Sequence, residues 1–314
     1  MKWTKKGLIF TSQGEYDWNL SHAQVPTVDL VSDTVWRIYY ASRDLQNRSF
    51  ISYIEVEAGR PENILYKHNE PILPLGKLGT FDDSGLMPSW IVTVGEKKYL
   101  YYIGWNVKKN VPYHNAVGLA VSNDGGRSFC KCYDGPVMDR TALEPYFCAT
   151  TCVIVENGVW RNWYLSCTEW LSVNGKQEPK YHLKYAESCD GVSWKQDGTV
   201  AIDYMYPNEG GIVRASVMKC GIGYKMWYSY RSDIDYRTDC NSSYRIGYAE
   251  SINGINWERM DRLNGVTVSA DGWDSFMVAY PHVIKLANRL FMFYNGNGFG
   301  QTGIGYAVAD MVTS

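Results

Sequence analysis

An aromatic strand that ends in tyrosine recurs five times, and this repeat restricts the fold more than any other feature of the chain. The final tyrosines are 62, 62, 64 and 66 residues apart. The five copies are Trp36–Tyr40, Lys98–Tyr102, Trp160–Tyr164, Tyr224–Tyr228 and Leu290–Tyr294. A period of this size is typical of repeat architectures, in which each copy is one supersecondary unit. The chain is therefore predicted to contain five copies of one structural unit.

Other elements recur in register with this strand. An apolar strand opens 13 or 14 residues before each final tyrosine, at Pro26, Pro88, Thr150, Ala215 and Pro281. A third strand follows, as in Ile246–Ser251, and often runs into an Asp-Gly or Asn-Gly turn, which supplies the positive φ of a tight turn. A short fourth strand is predicted at Pro71–Pro74, Pro136–Met138, Thr199–Ile202 and Val266–Val268. Four strands per repeat are therefore expected.

The fourth strand has no copy after the last repeat, but Gly7–Phe10 at the start of the chain matches it. A ring closed by its own first strand would pair an edge that otherwise stays open. We therefore predict an all-β fold: a five-bladed β-propeller with four antiparallel strands per blade, forming one domain over residues 1–314 and closed by the N-terminal strand.

Composition limits the classes of function. The formal net charge is −2 and 20% of residues are charged, so the basic excess typical of nucleic-acid binders is missing. No apolar run approaches the roughly 18 residues of a membrane span, and the first residues lack the apolar stretch of a secretory signal. We expect a cytoplasmic protein. The eight cysteines lack metal-site spacing and are predicted to be reduced, so neither a metal nor a cofactor is expected.

Four of the five repeats carry a carboxylate six or seven residues before the apolar strand. These acids are Asp82 with Asp83 beside it, Glu144, Glu209 and Asp274. In a propeller that strand would be innermost, so acids from successive blades would converge near the axis. Converging carboxylates repel, which raises some of their pKa values and yields the acid and base that sugar chemistry needs. Glu209 or Glu144 is predicted to act as general acid, and Asp83 or Asp274 as base, nucleophile or transition-state stabiliser.

Polar and aromatic residues around these acids are candidates for binding substrate. They are His22, Gln24, Asp82, Trp90, Trp105, Trp170, Arg214, Arg237, Tyr280 and His282. Arg43, Arg231 and Arg237 follow aromatic strands, and the arginines of segment 230–245 could hold a phosphate or carboxylate. The alternatives are an ion pair between Arg214 and Glu209, packing of the tryptophans between blades, and a solvated loop for the arginines.

The blade pattern and the acids before the innermost strands resemble the five-bladed propeller glycosidases of the arabinanase and xylosidase, invertase and mannoside phosphorylase groups. The chain is also similar to glycosidase-like propeller proteins of unassigned activity. The resemblance implies that Asp83 or Asp82 matches a family aspartate and that Glu209 matches the family's general acid. The family often places an aspartate next to a proline in the first repeat, whereas this chain has Ser21–Pro26 without an acid.

These observations predict an enzyme, glycoside hydrolase-like, that acts on a small saccharide or an activated sugar. A phosphorylase or sugar transferase is the alternative within enzymes. A carbohydrate-binding propeller without catalysis and a protein-interaction propeller are the alternatives outside them. The sequence leaves the sugar, the linkage and the oligomeric state open.

Overall fold

The computed structural model describes residues 2–263 and 265–311, and almost all regular structure in them is β-strand. In chain order the strands are β1 (Thr4–Phe10), β2 (Ser21–Leu30), β3 (Val35–Arg43), β4 (Ser49–Glu57), β5 (Arg60–Lys67), β6 (Gly85–Val94), β7 (Lys97–Val107), β8 (Tyr113–Ser122), β9 (Cys130–Lys131), β10 (Cys148–Glu156), β11 (Val159–Val173), β12 (Lys176–Ser188), β13 (Val200–Ile202), β14 (Glu209–Cys220), β15 (Gly223–Ser232), β16 (Arg245–Ser251), β17 (Glu258–Arg259), β18 (Ala279–Leu286), β19 (Arg289–Asn295) and β20 (Ile304–Asp310). One short helix, α1 (Asn297–Gly300), and two 3-10 turns, Cys240–Ser242 and Asp261–Leu263, complete the described elements. The all-β prediction is therefore confirmed.

Antiparallel pairing divides the strands into five groups of four. They are β2-β3-β4-β5, β6-β7-β8-β9, β10-β11-β12-β13, β14-β15-β16-β17 and β18-β19-β20-β1. Each predicted aromatic strand lies in the second strand of its group. The last group takes its fourth strand from the start of the chain, because β1 pairs with β20.

The first strands of the five groups touch one another in a closed cycle. β2 contacts β6, β6 contacts β10, β10 contacts β14, β14 contacts β18, and β18 returns to β2. Side chains near the start of each of these strands are thereby brought towards one common region, which is where the candidate site lies.

Neighbouring groups are joined by a repeated aromatic contact. Tyr39 of β3 donates a hydrogen bond to the carbonyl of Gly126 at 2.6 Å, and Tyr101 of β7 does the same to Gly191 at 2.7 Å. Trp163 of β11 continues the series by donating to Gly254 at 2.7 Å. All three glycines have positive φ, so the predicted Asp-Gly and Asn-Gly turns also present a carbonyl to the previous group.

Three predicted fourth strands lie elsewhere. In the first group the strand is β5, and Pro71–Pro74 is irregular, because its two prolines have no N–H to give to a sheet. In the second group the strand is β9, and within Pro136–Met138 only Met138 pairs, as an isolated bridge to Val117. In the fourth group the strand is β17, and Val266–Val268 forms no strand although Val266 is buried.

The eight cysteines are free, as the sequence predicts, and Cys148, Cys152 and Cys167 are buried in the core. Burial raises the pKa of Cys152 and of Cys167 to about 12, so neither thiol is a nucleophile at neutral pH. The described part of the chain contains no helix of the length and apolarity needed to cross a membrane.

Candidate functional site

Each first strand is interrupted near its start by a register shift against its neighbour. The shifts lie between Gln24 and Thr27, Pro88 and Trp90, Cys148 and Thr151, Val213 and Ser216, and Ala279 and His282. Three of them contain a non-glycine residue with positive φ: Val25, Arg214 and Tyr280. Such bulges re-aim side chains and are common beside functional sites. The alternation of side chains therefore changes where the five strands approach one another.

A cavity of about 360 Å³ lies against these bulges. Its aromatic lining residues are Trp105, Tyr113, Phe147, Tyr181, Tyr236, Tyr244, Tyr280 and Phe299. Its polar lining residues are Gln24, Arg43, Asn47, Ser49, Asn115, Thr150 and Arg237. Among the lining residues that the structure describes, none is a carboxylate. The volume lies within the usual range for a small-molecule site.

One wall of the cavity is a cluster of tyrosines and a phenylalanine. Tyr244 packs against Tyr280 with ring centroids 5.7 Å apart and against Phe299 at 6.0 Å. The hydroxyls of Tyr181 and Tyr244 are hydrogen-bonded to each other. Burial is the main factor raising the pKa values of these tyrosines, so the wall presents neutral phenols to a ligand.

Arg43, the last residue of β3, supplies a positive charge without an acidic partner. Its Nη2 donates to Oε1 of Gln24 at 3.4 Å, and it forms no ion pair with any described carboxylate. Burial lowers the pKa of Arg43; Tyr280 opposes that shift and the charge of Arg237 adds to it. A half-buried guanidinium beside another cation is stabilised by an anionic ligand.

Arg237 lies in the loop after β15 and has one acidic partner. Its Nε lies 3.3 Å from Oε1 of Glu178, and its Nη2 donates to the hydroxyl of Tyr236 at 2.7 Å. Burial opposes ionisation of Arg237, but Tyr236 and Glu178 outweigh burial and raise its pKa. Burial likewise opposes ionisation of Glu178, but hydrogen bonds from Arg237 and Tyr236 lower its pKa. Glu178 is therefore ionised and already held by the cavity wall.

Arg231 stands behind the same wall and does not line the cavity. It is buried, lies 3.7 Å over the ring of Tyr236, and donates from Nη2 to the carbonyl of Pro179 at 2.7 Å. Three arginines thus surround the tyrosine wall. Glu178 is the one described carboxylate that is hydrogen-bonded to a lining side chain.

The predicted acids Asp82, Glu144 and Asp274 each bind the final tyrosine of their own group. Asp82 accepts from Tyr102 at 3.1 Å and pairs with Lys131 at 2.6 Å. Glu144 accepts from Tyr164 at 2.7 Å and from Ser166 at 2.9 Å, with Lys184 at 3.6 Å. Asp274 accepts from Tyr294 at 2.9 Å and pairs with Lys5 at 2.6 Å. All three carboxylates are buried.

The fourth group varies this arrangement. Glu209 forms a two-pronged pair with Arg259, with N–O distances of 2.7 and 2.8 Å, and it also accepts from the backbone of Met205 at 2.6 Å. Tyr228 donates to Asp261 instead. The four acids at equivalent sequence positions therefore occupy equivalent places in the fold, but each is held inside its own group and none lines the cavity.

Asp83 differs from these four acids. Its Oδ1 accepts from the hydroxyl of Ser84 and its Oδ2 from the backbone of Gly79, both at 2.8 Å. It forms no ion pair within the described residues, and it is only partly buried. Ser84 donates its backbone N–H to the carbonyl of Trp105, a cavity residue, at 3.1 Å. Asp83 therefore directly precedes a residue that is hydrogen-bonded to the cavity lining.

Three of the residues that the sequence offers as substrate-binding candidates, Arg214, His282 and Trp90, lie outside the cavity lining. All three are buried. His282 stacks on Trp90 with ring centroids 4.5 Å apart, and Arg214 lies 5.5 Å over Trp90. The alternative pairing of Arg214 with Glu209 is wrong, because Glu209 is held by Arg259. The positive φ of Arg214 turns its side chain inward instead of towards solvent.

The structure brings together four of the predicted binding residues in the cavity lining: Gln24, Trp105, Arg237 and Tyr280. His22 lies nearby, and burial followed by the charge of Arg43 lowers its pKa to about 4. Trp170 packs edge-on against Tyr113 at 5.5 Å and lines an adjoining groove.

Sequence reasoning missed most of the tyrosine wall and Asn115. Tyr236, Tyr244 and Phe299 lie outside the repeated strand pattern, the first two in a loop and the third in α1, so periodicity could not select them. The sequence did mark the polar segment 230–245 as a possible loop over the pocket, and this segment supplies Tyr236, Arg237 and Tyr244 to the cavity lining. Among the described residues no group of three or more His, Cys, Asp or Glu side chains is placed to hold a metal ion.

Comparisons with known proteins place the chain in a family. It is 36% identical over 310 residues to Uncharacterized protein MT1551 of Mycobacterium tuberculosis strain CDC 1551 / Oshkosh, and equally to Uncharacterized protein Rv1502 of strain ATCC 25618 / H37Rv. Each match covers 99% of this chain and 100% of the relative, so the chain belongs to the family of these mycobacterial proteins. No protein-family model matches the chain.

Solved structures show the class of fold. A solved complex of BT0996 and RGII superposes with a TM-score of 0.71 at 17% identity, covering 98% of this chain and 93% of that one. A thermostable family-43 glycoside hydrolase gives 0.67 at 17% identity, with 96% and 93% covered. A structure from the GH130 family of mannoside phosphorylases gives 0.64 at 14% identity, with 98% and 95% covered. The chain has the fold of the propeller glycoside hydrolases.

Proposed function

We propose that residues 1–314 form a single five-bladed propeller whose cavity binds a saccharide, as part of a carbohydrate-active protein. The five strand groups, the closed cycle of contacts among their first strands and the pairing of β1 with β20 support five blades and closure by the N-terminal strand. Fold neighbours that are glycoside hydrolases, and one complex with RGII, support a saccharide as the ligand. A cytoplasmic location remains a prediction from the sequence.

The observation that carries this proposal is the lining of the cavity. Aromatic rings such as Trp105 and Tyr113 stand beside hydrogen-bonding side chains such as Asn115, Gln24 and Asn47. A sugar ring offers C–H groups that pack on aromatic faces and hydroxyls that hydrogen-bond at its edge. Aromatic walls with a few placed polar groups are the usual composition of a small-molecule site.

Binding tests the proposal directly. We would titrate the protein with neutral and charged oligosaccharides by calorimetry, using Asn115→Ala as the cavity variant and Asn63→Ala as its matched control. Asn63 is exposed, bonds to Glu57 and does not line the cavity. We expect one class of saccharide to bind, with affinity lost in Asn115→Ala and kept in Asn63→Ala. Equal binding by both variants would place the saccharide elsewhere and overturn the proposal.

Hydrolysis of a glycosidic bond is a second candidate, and the state of Asp83 favours it. Asp83 is the predicted catalytic carboxylate that forms no ion pair with a described cation. It lies two residues before Gly85 of β6, which pairs with the cavity residue Trp105 of β7. Glu209 and Glu144 are supported less well as general acids, because both oxygens of each already accept hydrogen bonds within the group. A phosphorylase or transferase would use Arg43 and Arg237 to hold phosphate.

Turnover separates the catalytic and binding candidates. We would incubate wild type, Asp83→Asn and Glu209→Gln with aryl glycosides, oligosaccharides and nucleotide sugars, with and without phosphate. Catalysis through Asp83 predicts turnover that collapses in Asp83→Asn, and a phosphate requirement would select phosphorolysis. A saccharide that binds wild type and Asp83→Asn equally, with no turnover in either, would leave the binding function alone.

A further inference from the structure

A second groove adjoins the cavity and shares two of its residues. Its volume is about 440 Å³, and Tyr113 and Phe147 line both spaces. The groove runs from the loop after β7 to the loop before β10, where Tyr146 is 37% exposed. A ligand longer than one sugar unit that leaves the cavity past Tyr113 would therefore enter this groove.

The groove is positively charged. Lys108, Lys109 and Arg140 line it, are exposed, and form no ion pair within the described chain. The carboxylate beside them, Asp139, is occupied: it lies 2.7 Å from Nε2 of His114 and accepts from the backbone of Arg140 at 2.7 Å. Three basic side chains thus face the groove with no free carboxylate among its lining residues.

The cavity also has basic lining residues, Arg43 and Arg237, and no carboxylate among the described residues that line it. Arg43 lacks an acidic partner, and Arg237 shares Glu178 with the hydroxyl of Tyr236. The whole chain carries a formal net charge of −2, so the unpaired basic side chains of the cavity and the groove are a local departure from its overall balance. Such a departure concentrates anions at the site.

Aromatic rings accompany the charges in both spaces. Trp170 and Tyr146 line the groove, and Tyr113 stands at the junction. A chain of sugar rings can pack on these faces while its acidic groups reach the basic side chains. Inorganic anions could use the charges but would make no use of the rings.

We propose that the ligand is an acidic oligosaccharide, with one anionic sugar in the cavity against Arg43 and the following units along Lys108, Lys109 and Arg140. The inference rests on the proposed saccharide function and adds the charge and the length of the ligand. The anionic group is a carboxylate or a phosphate, since a guanidinium accepts either.

The test compares ligands of matched size that differ in charge. We would measure the binding of uronic-acid oligosaccharides of one to six units (galacturonan, mannuronan and glucuronate-containing series), of their carboxyl-reduced neutral counterparts, and of hexose 6-phosphates. The variants are Arg43→Gln for the cavity and Lys108→Gln with Lys109→Gln for the groove. The control is Lys195→Gln, which is exposed and lines neither space.

We expect the charged series to bind at least tenfold more tightly than the neutral one. Arg43→Gln should weaken every charged ligand about 10- to 100-fold, as for a charge-assisted contact in a partly buried site. The groove double variant should weaken only oligosaccharides of two or more units, by about three- to tenfold, with strong dependence on salt. Lys195→Gln should have no effect. A preference for the phosphates over the uronides would identify phosphate as the anionic group.

Three results would overturn the inference in different ways. Neutral and charged oligosaccharides that bind equally, with affinity lost in Asn115→Ala, would refute the acidic ligand and leave the saccharide function standing. No binding by any saccharide, charged or neutral, would remove both. Charged ligands whose affinity is unchanged in Arg43→Gln would place the anion outside the cavity and would also overturn it.

Discussion

Arg214 of β14 reaches β2, where its Nη2 donates a hydrogen bond to the backbone carbonyl of Pro26 at 2.9 Å. The same nitrogen lies 3.2 Å from Nδ1 of His282 in β18, and Nη1 donates to the carbonyl of Ser89 in β6. The backbone N–H of Arg214 donates to Thr150 of β10 at 3.1 Å. One residue therefore connects the first strands of all five groups.

Replacing this residue tests its structural role. Arg214→Met would remove the hydrogen bonds that the guanidinium gives to acceptors of three strands in the buried interior, and each acceptor left unsatisfied costs about 1–3 kcal/mol. Loss of a buried charge offsets part of this cost, since burial lowers the pKa of Arg214 to about 9. We expect a net loss of about 2–4 kcal/mol in the free energy of unfolding, measured by urea denaturation. Arg289→Met, at a side chain 48% exposed, should change it by less than about 0.5 kcal/mol. Equal effects of the two variants would contradict the role of Arg214.

The neighbouring acids Asp82 and Asp83 provide a second test, because Asp82 forms an ion pair and Asp83 forms none with a described residue. Asp82→Asn would leave Lys131 without its partner at 2.6 Å, with both groups largely removed from solvent. We expect a loss of about 2–3 kcal/mol in the free energy of unfolding. Asp83→Asn breaks no ion pair and should cost less than about 1 kcal/mol. Thermal or urea unfolding of the two variants measures the difference, and the reverse order would contradict the assignment.

The sequence predicted strand positions well because the repeat is recorded in local patterns. The aromatic strand ending at Tyr102 and the strand containing Gly118 pair as expected, since period-2 alternation and turn residues are local properties. The sequence predicted strand positions less well where several segments could pair with the same strand edge. Pro71–Pro74 has the composition of an outer strand, but the sheet takes Arg60–Lys67 instead.

The site was predicted only in part, for a specific physical reason. Each first strand contains a bulge, and one extra residue reverses the face on which all later side chains lie. Arg214 therefore points into the interior. Counting alternate residues from Glu209 could not predict this, because such a count assumes a strand without a bulge. Asp82 is held inside its own group by Lys131, which lies 49 residues away along the chain, a separation that no local pattern reports.

A third prediction concerns the contact between each final tyrosine and the strand beside it. A Cβ added at Gly118 would lie 2.2 Å from the ring of Tyr102, and one at Gly247 would lie 2.5 Å from the ring of Tyr228. Both tyrosines are buried and cannot yield without breaking their hydrogen bonds to acids. We expect Gly118→Ala to cost about 1–3 kcal/mol in the free energy of unfolding, as for overpacking of a core.

The matched control is Gly135→Ala. Gly135 has open space within 4 Å of an added Cβ and lacks a positive φ. This variant should be neutral or slightly stabilising, since alanine lowers the entropy of the unfolded chain. Urea unfolding of both variants provides the comparison. A Gly118→Ala protein as stable as Gly135→Ala would show that the tyrosine does not pack tightly on this strand.

The last prediction is a fall in stability on mild acidification. Burial and then the charge of Arg214 lower the pKa of His282 well below 6.5, and burial and then Arg43 lower the pKa of His22 to about 4. Below pH 6.5 the unfolded chain therefore binds protons that the folded chain does not, so the free energy of unfolding decreases as pH falls towards 4 and is level above about 7. A fully buried neutral histidine contributes about 1.4 kcal/mol per pH unit in this window. His22 should contribute less because it is partly exposed. We would measure urea unfolding from pH 7.5 to 5.0 in wild type and in His282→Gln, whose amide oxygen can still accept from Arg214. The variant should lose about 1 kcal/mol less per pH unit than wild type, and identical slopes would show that His282 titrates in the folded protein.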